Sequence, residues 1–110
     1  GLRRVLNFGH TLGHGIESLG LGLYHGECVA LGMLPMCSEE VGARLKAVLK
    51  RLNLPTSLSF DREAALKAVL HDKKSVGGAV AAVFVESVGS FEIREIGEDE
   101  LRKRLLSIEG

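Results

Sequence analysis

The chain has 110 residues, with 14 Lys+Arg against 14 Asp+Glu and no formal net charge, so it is one domain at most and lacks the basic footprint of a nucleic-acid binder. At 45% hydrophobic and 25% charged residues, its composition excludes disorder and fibrous repeats. No apolar run approaches the roughly 18 residues of a membrane span and no charged-then-apolar leader opens the chain, which points to a cytoplasmic protein with no membrane partner.

The chain begins at Gly1 and enters a helical pattern at once, as a piece of a longer protein would. Val5, Phe8, Leu12, Ile16 and Leu19 recur at steps of three and four, which predicts a helix from Arg3 to Leu19 that Gly20 and Gly22 stop. Residues 26–41 are almost continuously apolar and too long for a buried strand, so they read as a buried helix that Pro35 kinks or splits. Leu45, Val48, Leu49 and Leu52 mark the next helix, ended by Asn53 and Pro55, and Asp61 opens another through Ala65, Leu66, Val69 and Leu70. The runs 79–86 and 91–96, joined by a turn at Ser87–Ser90, predict a hairpin whose second strand alternates. A last helix from Glu98 to Ser107 carries the i,i+4 pairs Glu98/Arg102, Asp99/Lys103 and Glu100/Arg104, the mark of a solvated face. The fold class is therefore mainly α, a multi-helical domain with a small β-hairpin near the C-terminus. Cys28 and Cys37 lie nine residues apart in a helical stretch; a disulfide would have to close roughly 13 Å to about 6 Å, so both read as buried free thiols.

Three of the four histidines fall within sixteen residues. His10 and His14, four apart, share a helix face about 6 Å apart, where they can share a metal, or one can ligate while the other serves as acid or base. On one continuous helix His25 would lie roughly 22 Å from His10, so it joins the site only if the chain reverses at Gly20–Gly22. Gly9, Gly13 and Gly15 each weaken a helix by about 1 kcal/mol relative to alanine, which calls for close approach of another backbone or a bulky ligand. Two imidazoles and open positions suit Zn²⁺, with a third ligand still needed. Glu27 points away from His25, whereas Glu17, one turn beyond His14, is placed to orient an imidazole by a hydrogen bond. Arg3, seven residues before His10, and the pair Lys73-Lys74 are anion-binding candidates. Gly20-x-Gly22 follows a helix and lacks a third glycine, so it is no dinucleotide fingerprint.

The stretch GLRRVLNFGHTLGHGIE at 1–17, followed by HGECVALGM at 25–33, closely resembles 3-dehydroquinate synthase. The likeness resumes more weakly at Leu54-Pro55, at His71-Asp72-Lys73-Lys74 and at the hairpin, and covers only the C-terminal part of that family. It implies that residues 1–110 form the helical metal- and substrate-binding domain of a two-domain fold whose N-terminal NAD-binding α/β domain lies outside this chain. It also implies the shikimate-pathway conversion of 3-deoxy-D-arabino-heptulosonate 7-phosphate to 3-dehydroquinate and phosphate, with NAD⁺, Zn²⁺ or Co²⁺, and a homodimeric assembly. By position, His10 and His25 match the family's metal ligands and His14 its proton-transfer histidine. Arg3, Asn7 and one of Lys73 and Lys74 match substrate-binding positions, and the third metal ligand, a glutamate, falls outside the chain. Gly15, where alanine is commoner, and Pro35 depart from the pattern. The rival readings are a metal-dependent polyol dehydrogenase domain and a non-catalytic helical metal-binding module.

Overall fold

A computed structural model of the chain describes residues 8–72 and 80–110. Among these residues the chain forms helices α1 (His10–Glu17), α2 (His25–Met33), α3 (Glu39–Arg51) and α4 (Arg62–Asp72), strands β1 (Val80–Ser87) and β2 (Ser90–Ile96), and helix α5 (Glu98–Leu106). The expected class, helical with one hairpin, is the observed one. No helix of the described residues is long and apolar enough to cross a membrane.

Three boundaries differ from the sequence reading, each for a local reason. Phe8 and Gly9 form a turn with Gly9 at φ 81°, so the first helix starts at His10 and does not run unbroken from Arg3. Arg3, for which a face shared with His10 was inferred, lies outside the described residues. Pro35 splits the long apolar stretch rather than kinking it. A 3₁₀ turn at Leu34–Met36 follows α2, and Ser38 then starts a new helix by accepting the Val41 N–H, so residues 39–41 belong to α3. The same serine ties the break to the hairpin, its N–H donating to Val85 O and its hydroxyl to Glu86 O. Asp61 accepts the Ala64 N–H at 3.0 Å and opens α4, while Asn53 at φ 59° closes α3.

The core lies where α1 packs on α2 and α4, and α4 on α5, around Leu12, Ile16, Leu31, Leu66, Val69, Phe84, Leu101 and Leu105. β1 supplies Val80, Ala82 and Phe84 to it. The strands pair antiparallel from Val80↔Ile96 to Ser87↔Ser90, with an irregularity between Phe84 and Ser87. The alternation read in the second strand does not produce a buried face, because β2 is an edge whose only buried residue is Ile96. Of the three expected pairs in α5, Glu98–Arg102 and Glu100–Arg104 form, whereas Asp99 meets Arg102 instead. Arg104 is half-buried and donates to Pro35 O, so it ties α5 to the 3₁₀ turn rather than lying on a purely solvated face. Cys28 and Cys37 are both free, with Cys28 buried and Cys37 only half-buried.

Candidate active site

The site is built on the crossing of α1 and α2, and glycines set its width. A Cβ on Gly13 would lie 2.9 Å from Cys28 O, one on Gly9 2.7 Å from Val29 O, and one on Gly32 2.5 Å from Gly13 N and closer still to Gly9 O. No side chain fits between the two backbones here. The glycines that looked costly in a helix are therefore explained by close approach of a neighbouring helix. Gly15 serves a second crossing, since its Cβ would meet Ala65 O of α4 at 2.7 Å. An alanine at this position has no room in this packing.

The connection between the helices holds Gly20 at φ 65° and Gly22 at φ 82°, each with open space around it, so glycine is required for backbone conformation and not for room. The chain reverses there as the spacing required. The imidazoles of His10 and His25 end with ring centroids 5.4 Å apart, tilted by 53°.

Each of these rings is held through one nitrogen. The Nδ1–H of His25 donates to Glu17, whose Oε1 and Oε2 both lie 3.1 Å away, and His10 Nδ1 lies 3.4 Å from Phe8 O. Carboxylate and carbonyl oxygens only accept, so Nδ1 carries a proton in both rings, and in the neutral imidazole Nε2 then keeps the lone pair. Two imidazoles bound through nitrogens about 2.1 Å from one tetrahedral ion have ring centroids roughly 5 Å apart. The observed spacing and both tautomers fit a shared divalent metal. Among the described residues no group of three His, Cys, Asp or Glu side chains forms a complete metal cage. Glu27 accepts the Tyr24 N–H at 2.8 Å at the N-terminus of α2. Burial first, then the charges of Glu17 and Glu27, raise the Cys28 thiol above its ordinary range, so it stays protonated beside the site.

His14 is exposed one turn along α1 from His10. Arg3, Asn7, Lys73 and Lys74 lie outside the described residues. Leu21 and Tyr24, the latter 82% exposed, sit in the connection just before His25. Two features escaped the sequence reading. Gly32 is the residue across which α1 approaches most closely, and its only signal was a glycine inside an apolar helical run. The imidazole that Glu17 holds is that of His25, eight residues away, which the spacing to His14 did not indicate.

The family described as 3-dehydroquinate synthase C-terminal matches residues 1–75. The chain belongs to the 3-dehydroquinate synthase family. The 3-dehydroquinate synthase of Synechocystis sp. is 39% identical over 119 residues, taking in 96% of this chain and 33% of that protein. The same enzyme of Thermodesulfovibrio yellowstonii is 37% identical, covering 94% of this chain and 33% of its own length. The chain thus spans about a third of these relatives. Two solved structures share the fold. One is a 2-epi-5-epi-valiolone synthase from Streptomyces hygroscopicus with NAD⁺ and Zn²⁺ bound (TM-score 0.77, 23% identity, 97% of this chain and 33% of that one). The other is a 2-deoxy-scyllo-inosose synthase complexed with carbaglucose-6-phosphate, NAD⁺ and Co²⁺ (TM-score 0.74, 19% identity, 90% of this chain and 32% of that one). In 3-dehydroquinate synthase terms, the described residues belong to the C-terminal domain of a family enzyme.

Proposed function

We propose that this chain is the metal- and substrate-binding domain of an enzyme that converts 3-deoxy-D-arabino-heptulosonate 7-phosphate to 3-dehydroquinate and phosphate. The observation that carries the reading is the His10–His25 pair, 5.4 Å apart with each Nδ1 occupied by a protein acceptor. His10 and His25 would hold a Zn²⁺ or Co²⁺ ion through Nε2, with a third protein ligand supplied from outside this chain. NAD⁺ is held mainly by the N-terminal portion that the longer relatives carry. When bound, the dinucleotide supplies a reversible hydride acceptor and the divalent ion supplies Lewis acidity.

The residues of this chain bind, orient and move protons. Arg3, Asn7 and one of Lys73 and Lys74 bind the carboxylate and phosphate of the substrate, a task suited to a guanidinium fork, a carboxamide and an ammonium. His14, one turn from His10, accepts and returns a proton at an imidazole nitrogen while the substrate hydroxyl is oxidised and later restored. The protein works in the cytoplasm as a homodimer.

The test is a chimaera in which this chain follows the two-thirds of the Synechocystis synthase that it does not match. Release of inorganic phosphate from the sugar acid phosphate, dependent on both NAD⁺ and divalent metal, is the expected outcome. Alcohol oxidation without phosphate release would instead identify a polyol dehydrogenase.

A further inference from the structure

Glu17 and Glu27 are the two glutamates nearest the helix crossing in the chain, and their positions have different explanations. Glu27 lies in the first turn of α2 and caps it, where a carboxylate is favoured by the unsatisfied N–H groups. Glu17 is the last residue of α1, where the exposed carbonyls make a carboxylate unfavourable, and it carries out no cap there. Its carboxylate instead crosses to the first residue of α2 and takes the His25 Nδ1–H evenly on both oxygens, at 3.1 Å each. The pair is well exposed, 59% for the His25 side chain and 38% for Glu17, so it contributes little to holding the helices together. The glycine crossing already does that. A residue placed against local preference, in a contact of small structural worth, marks a functional constraint.

We propose that Glu17 is a positioning residue for the metal site: it fixes His25 as the Nδ1–H tautomer, sets the plane of the ring, and so presents Nε2 as the ligating nitrogen. The inference rests on the reading of His25 as a metal ligand. A carboxylate on the remote nitrogen of a ligand imidazole raises its basicity and removes the entropy of ring rotation, and losing such a partner weakens metal affinity by about 10–100-fold. His10 has the weaker counterpart, a backbone carbonyl at 3.4 Å, so the two ligands are not equally held and His25 depends on a side chain that mutation can remove.

The experiment is ¹⁵N NMR of labelled histidine rings in the chimaera that carries this chain, at a pH above the ordinary imidazole range, followed by titration with Zn²⁺ alone. In the unsubstituted chain His25 should be predominantly Nδ1–H, and Zn²⁺ should shift the Nε2 of His10 and His25 together. Glu17→Ala should abolish the tautomer preference of His25, leave that of His10 unchanged and weaken Zn²⁺ by about 10–100-fold. Glu17→Gln, whose carbonyl still accepts the N–H, should keep the tautomer and recover much of the affinity. A merely structural role for Glu17 moves neither the ring nitrogens nor the ratio between the two variants. If His25→Ala weakens Zn²⁺ but Glu17→Ala leaves tautomer and affinity as they were, the positioning role is overturned and the ligand reading stands. If His25→Ala itself leaves Zn²⁺ binding unchanged, both are overturned.

Discussion

Replacing Gly32 by alanine perturbs the site without touching a chemically active side chain. The new Cβ would lie 2.5 Å from Gly13 N and closer to Gly9 O, both backbone atoms that no rotamer change can move. Restoring ordinary contact near 3.4 Å requires α1 and α2 to part by roughly 1 Å along that line. Overpacking of this kind costs about 3 kcal/mol, at the upper end of its usual range because the obstacle is backbone, while alanine returns about 1 kcal/mol of helix propensity. The net loss is about 2 kcal/mol, or roughly 8–16 °C in Tm for a domain of this size. The same separation widens the His10–His25 spacing and weakens any ion they share. Gly26 on the same helix is the control. It has nothing within 4 Å of its Cβ position and no positive φ, so Gly26→Ala should be stabilising by up to about 1 kcal/mol. Thermal unfolding of the two variants decides the matter. A Gly32→Ala chain as stable as the original, or one that moves in the same direction as Gly26→Ala, would refute the account of the crossing.

Arg102 holds the Glu63 carboxyl below the usual carboxylate range by hydrogen bonding. That contribution is present above the unfolded pKa of Glu63 and is lost as pH falls through its lower folded value, so Arg102→Met should lose stability at neutral pH and lose none at strongly acidic pH. A wild-type-minus-variant difference in urea midpoint that does not change with pH would contradict this. Burial pushes the Cys37 thiol up to about 11, and Cys28 is buried, so neither should react rapidly with a disulfide reagent near pH 8 until the chain unfolds. A fast stoichiometric reaction of the folded chain would show the environment of Cys37 to be misassigned. The 110-residue chain alone should release no phosphate from the sugar acid phosphate and bind neither NAD⁺ nor Zn²⁺ tightly, because it carries no βαβ unit and only two ligand candidates among its described residues. Calorimetry with each, beside a phosphate assay, checks this, and measurable turnover would contradict the proposal that NAD⁺ is held mainly outside this chain.

Much of the arrangement was legible because it rests on local chemistry. The reversal at Gly20–Gly22 followed from needing positive φ at small residues, and it fixed where His25 would land relative to His10. Pro35 announced a break, though its form depended on Ser38, whose capping role only the nearby hairpin carbonyls complete. The unbroken helix from Arg3 failed at Gly9, where one positive-φ residue outweighed the apolar periodicity of Val5, Phe8 and Leu12. Tertiary partners were out of reach. Nothing in the spacing of Gly32 says which backbone it meets, and the match of Glu17 to His25 rather than to an imidazole on its own helix depends on the angle at which α2 returns. The edge position of β2 was hidden for the same reason, since an alternating pattern does not say whether a second layer covers it.

The measurement that bears most directly on the metal site is the metal content of the chimaera, read beside phosphate release, for His10→Ala, His25→Ala and His14→Ala. With two imidazoles as ligands and the third as proton carrier, the first two variants should lose metal and activity together, while His14→Ala should keep its metal and lose turnover. A His14→Ala enzyme stripped of metal, beside a His25→Ala enzyme that retains it, would contradict the assignment.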